Sequence, residues 1–224
     1  MPRAQHQSGR RVSPALIIVP VLVLIVGLAI GGFFLFMRGG SGGNGGSEPS
    51  PETPEFSFQV GKVDSVPTGK EEGAKSAQSA AKGVTETMDQ FYTAAFLDPA
   101  NWQAGNYEPA WSVFDGGAVG DAKKNAEILT LGPGAGQTYE TVNPGASSLK
   151  VKVLVNDSGH AQTAVASVEF SAAAKAKAGG TTKVISNGAY FLEPAERGWR
   201  IYAFSVTRND EEAGGKASPS PSPR

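Results

Sequence analysis

The chain has 224 residues, with 20 Lys/Arg against 21 Asp/Glu, two histidines and no cysteine. The lack of cysteine excludes disulfides, thiolate nucleophiles and cysteine-ligated metals, so any folded part must rest on an apolar core. Removing the four arginines at 3, 10, 11 and 38 leaves 16 basic residues after Gly39 against all 21 acidic ones, a balance of −5 that argues against nucleic acid or anionic lipid as the main partner.

Residues 1–14 read as a short cytoplasmic N-terminus. Ala15 to Met37 (ALIIVPVLVLIVGLAIGGFFLFM) carries no charge. As a helix it spans roughly 34 Å, enough for a hydrocarbon core of roughly 30 Å. Arg3, Arg10 and Arg11 precede it and only Arg38 follows closely. Positive charge stays cytoplasmic, which predicts an N-terminus inside and the larger C-terminal part outside. The run is longer than the apolar core of a cleaved signal peptide, and no A-x-A site follows it, so it reads as an uncleaved anchor. Gly27-x-x-x-Gly31 fits a small-residue helix-pairing pattern that also arises by chance, and it leaves the oligomeric state open. The abundance of Gly, Ala and Pro is a compositional hint of a bacterial source.

Residues 38–67 read as a linker. Gly39–Gly46 is a glycine tether, and Glu48–Pro54 is stiffer and more extended. Phe56, Phe58 and Val60 alternate with polar residues, as in a short strand docking on the domain. A domain is predicted over 68–208. Thr68 and Glu71 form a capping box. After it Ala74, Ala77, Ala81, Val84, Met88, Phe91 and Ala95 recur at steps of three and four, an apolar stripe on one helix face. Asp98-Pro99 ends that helix. A second helical piece covers about Glu108–Phe114 and a third about Val119–Leu129.

The period then changes to two. Leu149, Val151, Val153 and Val155 share one strand face; strands follow at about 160–172, 184–192 and 199–207. Along the last, Trp199, Ile201 and Ala203 alternate with Tyr202, Phe204 and Val206, a pattern expected of a strand covered on both faces, either central in the sheet or facing helices. Residues 209–224, acidic and then Ser-Pro-rich, read as a disordered tail. Helices followed by antiparallel strands predict an α+β domain of three helices on a curved antiparallel sheet of about four strands, behind a transmembrane helix.

This order of elements, closing on Gly198-Trp199-Arg200-Ile201, resembles the nuclear transport factor 2-like superfamily of cone-shaped α+β domains. The single span ahead of it looks like small exported members, including mammalian-cell-entry-associated membrane proteins. One departure is Gln137–Ser148, where such folds often place a further strand; here the stretch is short and turn-rich, leaving that strand in doubt. The resemblance implies a cone that in some members carries Asp, His or Tyr chemistry.

The residues give little support for such chemistry. His6 falls in the cytoplasmic segment and His160 follows the Asp157-Ser158-Gly159 turn, and neither has a nucleophile at a telling distance in sequence. No cluster of residues suits a metal, and no cofactor is indicated. Gly132-Pro133-Gly134-Ala135-Gly136 lacks the Lys-Ser/Thr of a phosphate loop. A carboxylate–tyrosine pair, Asp115 with Tyr92, Tyr107 or Tyr190, is the enzymatic alternative, although Asp115 before Gly116-Gly117 reads as a turn residue. Most of the aromatic residues between Phe91 and Phe114 belong in a core. Tyr92, Phe96, Tyr107, Trp111, Phe114 and Tyr190 are the candidate lining of a cone that holds an apolar or lipid-like ligand. The preferred function is non-catalytic: a membrane-anchored, extracytoplasmic domain that binds a partner protein or an apolar ligand.

Overall fold

A computed structural model describes residues 52–67 and 71–212. The predicted span Ala15–Met37, the glycine tether, Thr68 of the capping box and the Ser-Pro tail lie outside the described residues. Among the described residues no helix is long and apolar enough to cross a membrane.

The elements follow the chain as β1 (Gln59–Val66), α1 (Glu71–Tyr92), a π-helical turn (Thr93–Leu97), α2 (Pro99–Trp102), α3 (Glu108–Trp111), α4 (Val119–Lys124), α5 (Ala126–Leu129), α6 (Ala135–Thr138), β2 (Tyr139–Pro144), β3 (Ser148–Val155), β4 (Ala161–Ala176), β5 (Thr181–Pro194) and β6 (Trp199–Glu212). They build an α+β fold with one curved, six-stranded mixed sheet, ordered β1-β3-β4-β5-β6, with β2 pairing β4 beyond the end of β3. Strict alternation places Leu149, Val151, Val153 and Val155 of β3 and Ala164, Ala166, Val168, Phe170 and Ala172 of β4 on the covered face, all buried. Lys150, Lys152 and Glu169 take the opposite, open face.

The sheet has two strands beyond the expected four, β1 and β2, both on the β3 side of β4. β1 joins it in parallel with β3, from Gln59 opposite Ser148 to Val66 opposite Leu154, so the end of the predicted linker is part of the sheet. The two phenylalanines expected in that strand lie ahead of it. Their segment is tied to α1 through Asp89, which accepts from the Ser57 hydroxyl (2.7 Å) and the Phe58 N–H (2.8 Å). β2 fills the stretch where a strand was in doubt. A register shift between Tyr139 and Thr141 puts its buried residues, Tyr139 and Val142, three apart, which breaks the period-two signal.

α1 buries a wider face than the predicted stripe. Ala77, Ala81, Val84, Met88 and Phe91 are inside as expected; Ala74 is exposed, and Gly73, Ala80, Thr87 and Tyr92 are buried instead. A helix lying on a sheet covers an arc of about 100°, so more than one residue per turn is buried. The helix widens after Tyr92, and the Asp98 N–H closes the π turn on Thr93 O (2.8 Å). Asp98 is extended and its carboxylate caps α2 at the Ala100 N–H (3.0 Å), so the Asp-Pro stop acts as predicted.

The later helices are shorter than expected. α3 stops at Trp111, because Val113–Asp115 run along the outer edge of β6: Ile201 N–H donates to Val113 O (3.0 Å) and Asp115 N–H to Ile201 O (2.9 Å). The predicted 119–129 helix breaks at Asn125, whose side-chain amide donates to Asp121 O (2.8 Å) in competition with the helix ladder.

β6 stands last in the strand order rather than in the centre. Its two apolar faces have another cause. The pairing slips so that Leu192 faces Ile201 while Phe191 faces Ala203, leaving Tyr202 as an extra residue. Beyond this bulge Phe204 joins the face of Ile201 and meets the Phe114 ring (6.0 Å), whereas Tyr202 stays on the other face beside Phe191 (6.3 Å).

Gly188 sets how closely β5 and β6 approach. A Cβ there would lie 2.3 Å from Ser205 O and 2.6 Å from Val206 Cα, both backbone atoms that cannot rotate away. Gly188→Ala is therefore expected to cost about 3 kcal/mol in urea denaturation through overpacking. Gly116→Ala, with nothing within 4 Å of its added carbon, should change stability by no more than about 0.5 kcal/mol. Equal midpoints for the two variants would contradict this packing.

Candidate functional site

The centre of the domain is where α1 ends over the middle of β4 and β5. Tyr92, on the last turn of α1, is fully buried. Its ring stacks on Phe96 of the π turn (5.3 Å between centroids, 16° between planes) and packs against Phe170 of β4 (4.7 Å). Its hydroxyl meets Ser186 Oγ (3.0 Å) and the Tyr190 hydroxyl (3.1 Å), both on β5 and both buried. Phe91 packs edge-on against Tyr190 (5.5 Å) and Phe114 (5.4 Å), and Trp111 lies 6.0 Å from Phe114.

The far side of Tyr92 is closed by the residues just ahead of β1. Phe58 meets the Tyr92 ring edge-on (5.1 Å), and Phe56 packs on Phe58 (5.0 Å) and Phe170 (5.7 Å). Their alternation marks them as docking residues, but alternation carries no information on what they dock against. These two complete the aromatic centre and were missing from its predicted lining.

Five of the six predicted lining residues thus fall in one chain of ring contacts: Tyr92, Phe96, Tyr190, Phe114 and Trp111. Tyr107 stands apart and donates its hydroxyl to Gly132 O (2.8 Å) at the turn before α6. All six are buried, the most accessible being Trp111 at 7%.

The electrostatics hold the phenols neutral. Burial pushes Tyr92 up to about 12, against the smaller opposing effect of its hydrogen bonds to Ser186 and Tyr190. Burial also raises Tyr190 well above its usual value, and the neighbouring Tyr92 adds to the rise. Tyr107 is pushed to about 12 by burial, opposed by Thr130 and the charge of Arg208. Neutral phenols in such a site serve as hydrogen-bond partners and have no tendency to act as bases.

The other candidates lie elsewhere. Asp115 is half-buried and its carboxylate accepts from the Gly117 N–H (2.8 Å) within its own turn, as the double glycine implied. It is thus occupied locally, while the Tyr92 and Tyr190 hydroxyls are occupied with each other. His160 is exposed beside the turn at Asn156, whose side chain accepts its backbone N–H (2.9 Å). Among the described residues no group of three His, Asp or Glu could hold a metal. Open space occurs at the surface. A groove of about 400 Å³ separates β1 from α1 at Val60, Val63, Ala81 and Thr85, and a cleft of about 330 Å³ lies between α1 and the start of β6.

No family model matches the chain, and no curated protein is similar to it. Among solved structures, a candidate aromatic ring hydroxylase from Novosphingobium aromaticivorans is similar at 12% identity over 65% of this chain and 96% of that one, with a TM-score of 0.35. A likeness that weak has no bearing on chemistry.

The raised phenols give the domain a defined response to alkali. Below pH 10 folded and unfolded chains both keep these protons and stability is unaffected. Between pH 10 and about 12 the unfolded chain releases protons that the folded one holds, so stability falls as pH rises, by up to about 1.4 kcal/mol per pH unit for each such tyrosine. Tyr92→Phe should reduce this slope. Phenolate absorbance from these three residues should appear together with the loss of helical circular dichroism, and its appearance in folded protein at pH 10.5 would contradict their burial.

Proposed function

We propose that the chain is a single-pass, membrane-anchored accessory protein whose extracytoplasmic domain binds a partner protein, with a centre that is structural rather than catalytic. The observation behind this reading is the filled interior. Where a cone-shaped domain would receive a small molecule, ten aromatic rings of this chain form one connected set of contacts, and the buried hydroxyls of Tyr92, Tyr190 and Ser186 have each other as partners. A satisfied polar network inside a close-packed core favours one rigid conformation. The Asp115 carboxylate accepts from the Gly117 N–H in its own turn, and among the described residues no hydrogen bond joins it to the Tyr92 or Tyr190 hydroxyl.

The anchoring half of the proposal rests on the uncharged run Ala15–Met37 and the arginines before it. Helices ahead of long strands, and a curved sheet covered on one face, support a place in the nuclear transport factor 2-like superfamily. The single span ahead of the domain supports the likeness to mammalian-cell-entry-associated membrane proteins.

One observation favours a second reading. The hydroxyl pair of Tyr92 and Tyr190 would orient the polar end of an apolar ligand if Phe56 and Phe58 moved aside, which makes the five connected lining residues, without Tyr107, a binding site in an opened state. Native mass spectrometry of the detergent-solubilised protein separates the two. The partner-binding reading expects the unliganded mass and no saturable uptake of a fluorescent fatty-acid analogue. A stoichiometric lipid, lost in Tyr92→Ala while the fold persists, would establish the apolar-ligand reading instead.

Topology has its own test. Protease added to intact cells should remove the domain beyond Gly39 and spare a tag at residue 1. Protection of the domain would overturn the orientation.

A further inference from the structure

Besides Ser112 and Val113, the lining of the cleft of about 330 Å³ comes from two segments of different origin. Gly83, Glu86, Thr87 and Gln90 recur on one face of α1, and Arg197, Gly198, Trp199 and Arg200 form the turn into β6. The walls are in tight contact at the base. Trp199, only 9% exposed, lies so close to Gly83 that a Cβ there would be 2.8 Å from the indole ring, and the Thr87 hydroxyl reaches Trp199 O (3.4 Å).

The arginines single this cleft out. Three arginines fall among the described residues. Arg208 is engaged by the Asp210 carboxylate and by the carbonyls of Glu127 and Thr130. Arg197 and Arg200 both line the cleft, and among the described residues neither has an ion pair or a side-chain hydrogen bond. Arg200 is half-buried, and Glu193, opposite it in the strand register, is not its ion-pair partner. A guanidinium offers five donors in a planar fork that matches a carboxylate, and partial desolvation strengthens such a pair. Glu86 is the one acidic side chain in the cleft, so its balance is positive on a domain that is otherwise acidic. A buried tryptophan beside unpaired arginines is also the composition of protein-interface hot spots.

We propose that this cleft docks an acidic segment of a partner protein, one carboxylate side chain entering between Arg197 and Arg200 above Trp199. The proposal rests on the partner-binding reading and names the surface and the chemistry of the partner. Glu86 sits at the rim as the repulsive element, which selects a segment whose carboxylate points toward the arginines.

The test uses the full chain in non-ionic detergent and an octaglutamate peptide carrying a neutral BODIPY label, read by fluorescence anisotropy at low salt. Saturable binding is expected, weakened about tenfold in the double variant Arg197→Gln, Arg200→Gln. Glu86→Gln should strengthen binding severalfold, a gain that a misfolded variant would not produce. Thermal melting should be unchanged in all three proteins, and glutarate at equal carboxylate concentration should compete poorly. No saturable binding by the parent, equal affinity in the arginine variant, or weaker binding by Glu86→Gln would overturn the proposal. Glutarate competing as well as the peptide would overturn it in favour of a small-carboxylate site. Lipid found in the interior by mass spectrometry would count against the partner-binding reading itself, and is distinguishable from each of these results.

Discussion

The position of one side chain, Tyr92, governs how the domain is assembled. Its ring contacts Phe58 ahead of β1, Phe96 in the π turn and Phe170 on β4, and its hydroxyl bonds to Ser186 and Tyr190 on β5. Four separate stretches of chain are thereby fixed against one residue at the end of α1. Dispersion among close-packed rings supplies the attraction, and the hydroxyl network supplies direction, because each buried phenol is satisfied in only one arrangement. A helix shifted by one turn would bury the Tyr92 hydroxyl without partners, at a cost of about 1–3 kcal/mol.

That constraint has consequences for function. On the proposed reading the centre holds the fold together rather than receiving a substrate, and burial keeps its phenols neutral. On the partner-binding reading proposed above, recognition falls to the surface, where α1 presents different residues to two neighbours. Its Ala81–Thr85 side borders β1, and its Gly83–Thr87 side borders the Trp199 turn. The same helix that closes the interior is therefore one wall of each of these two grooves.

The general architecture was legible in the amino-acid pattern because burial on one face imposes it directly. The alternation of Leu149, Val151, Val153 and Val155 and the three-four spacing from Ala77 to Phe91 follow from covering one side of a sheet and one side of a helix. What was hidden depended on irregularities. The slip at Tyr139 concealed β2, the extra residue at Tyr202 made β6 resemble a strand covered on both faces, and Asn125 divided an otherwise periodic helix. Of the aromatic centre, five rings were identified together, but Phe56 and Phe58 were assigned to a linker. Their partners lie 31 or more residues away, and no local period reports such a contact.

Native-state hydrogen exchange tests most directly whether the Phe56–Phe58 segment is an integral part of this core. The Phe58 N–H, held by Asp89 Oδ1, and the amides of α1 near Met88 and of β4 and β5 near Phe170 and Tyr190 should exchange with a common opening free energy, that of global unfolding. If the Phe58 amide exchanges through a much cheaper opening while the strand amides stay protected, the segment is a detachable cover, and the account of a filled, structural interior is wrong.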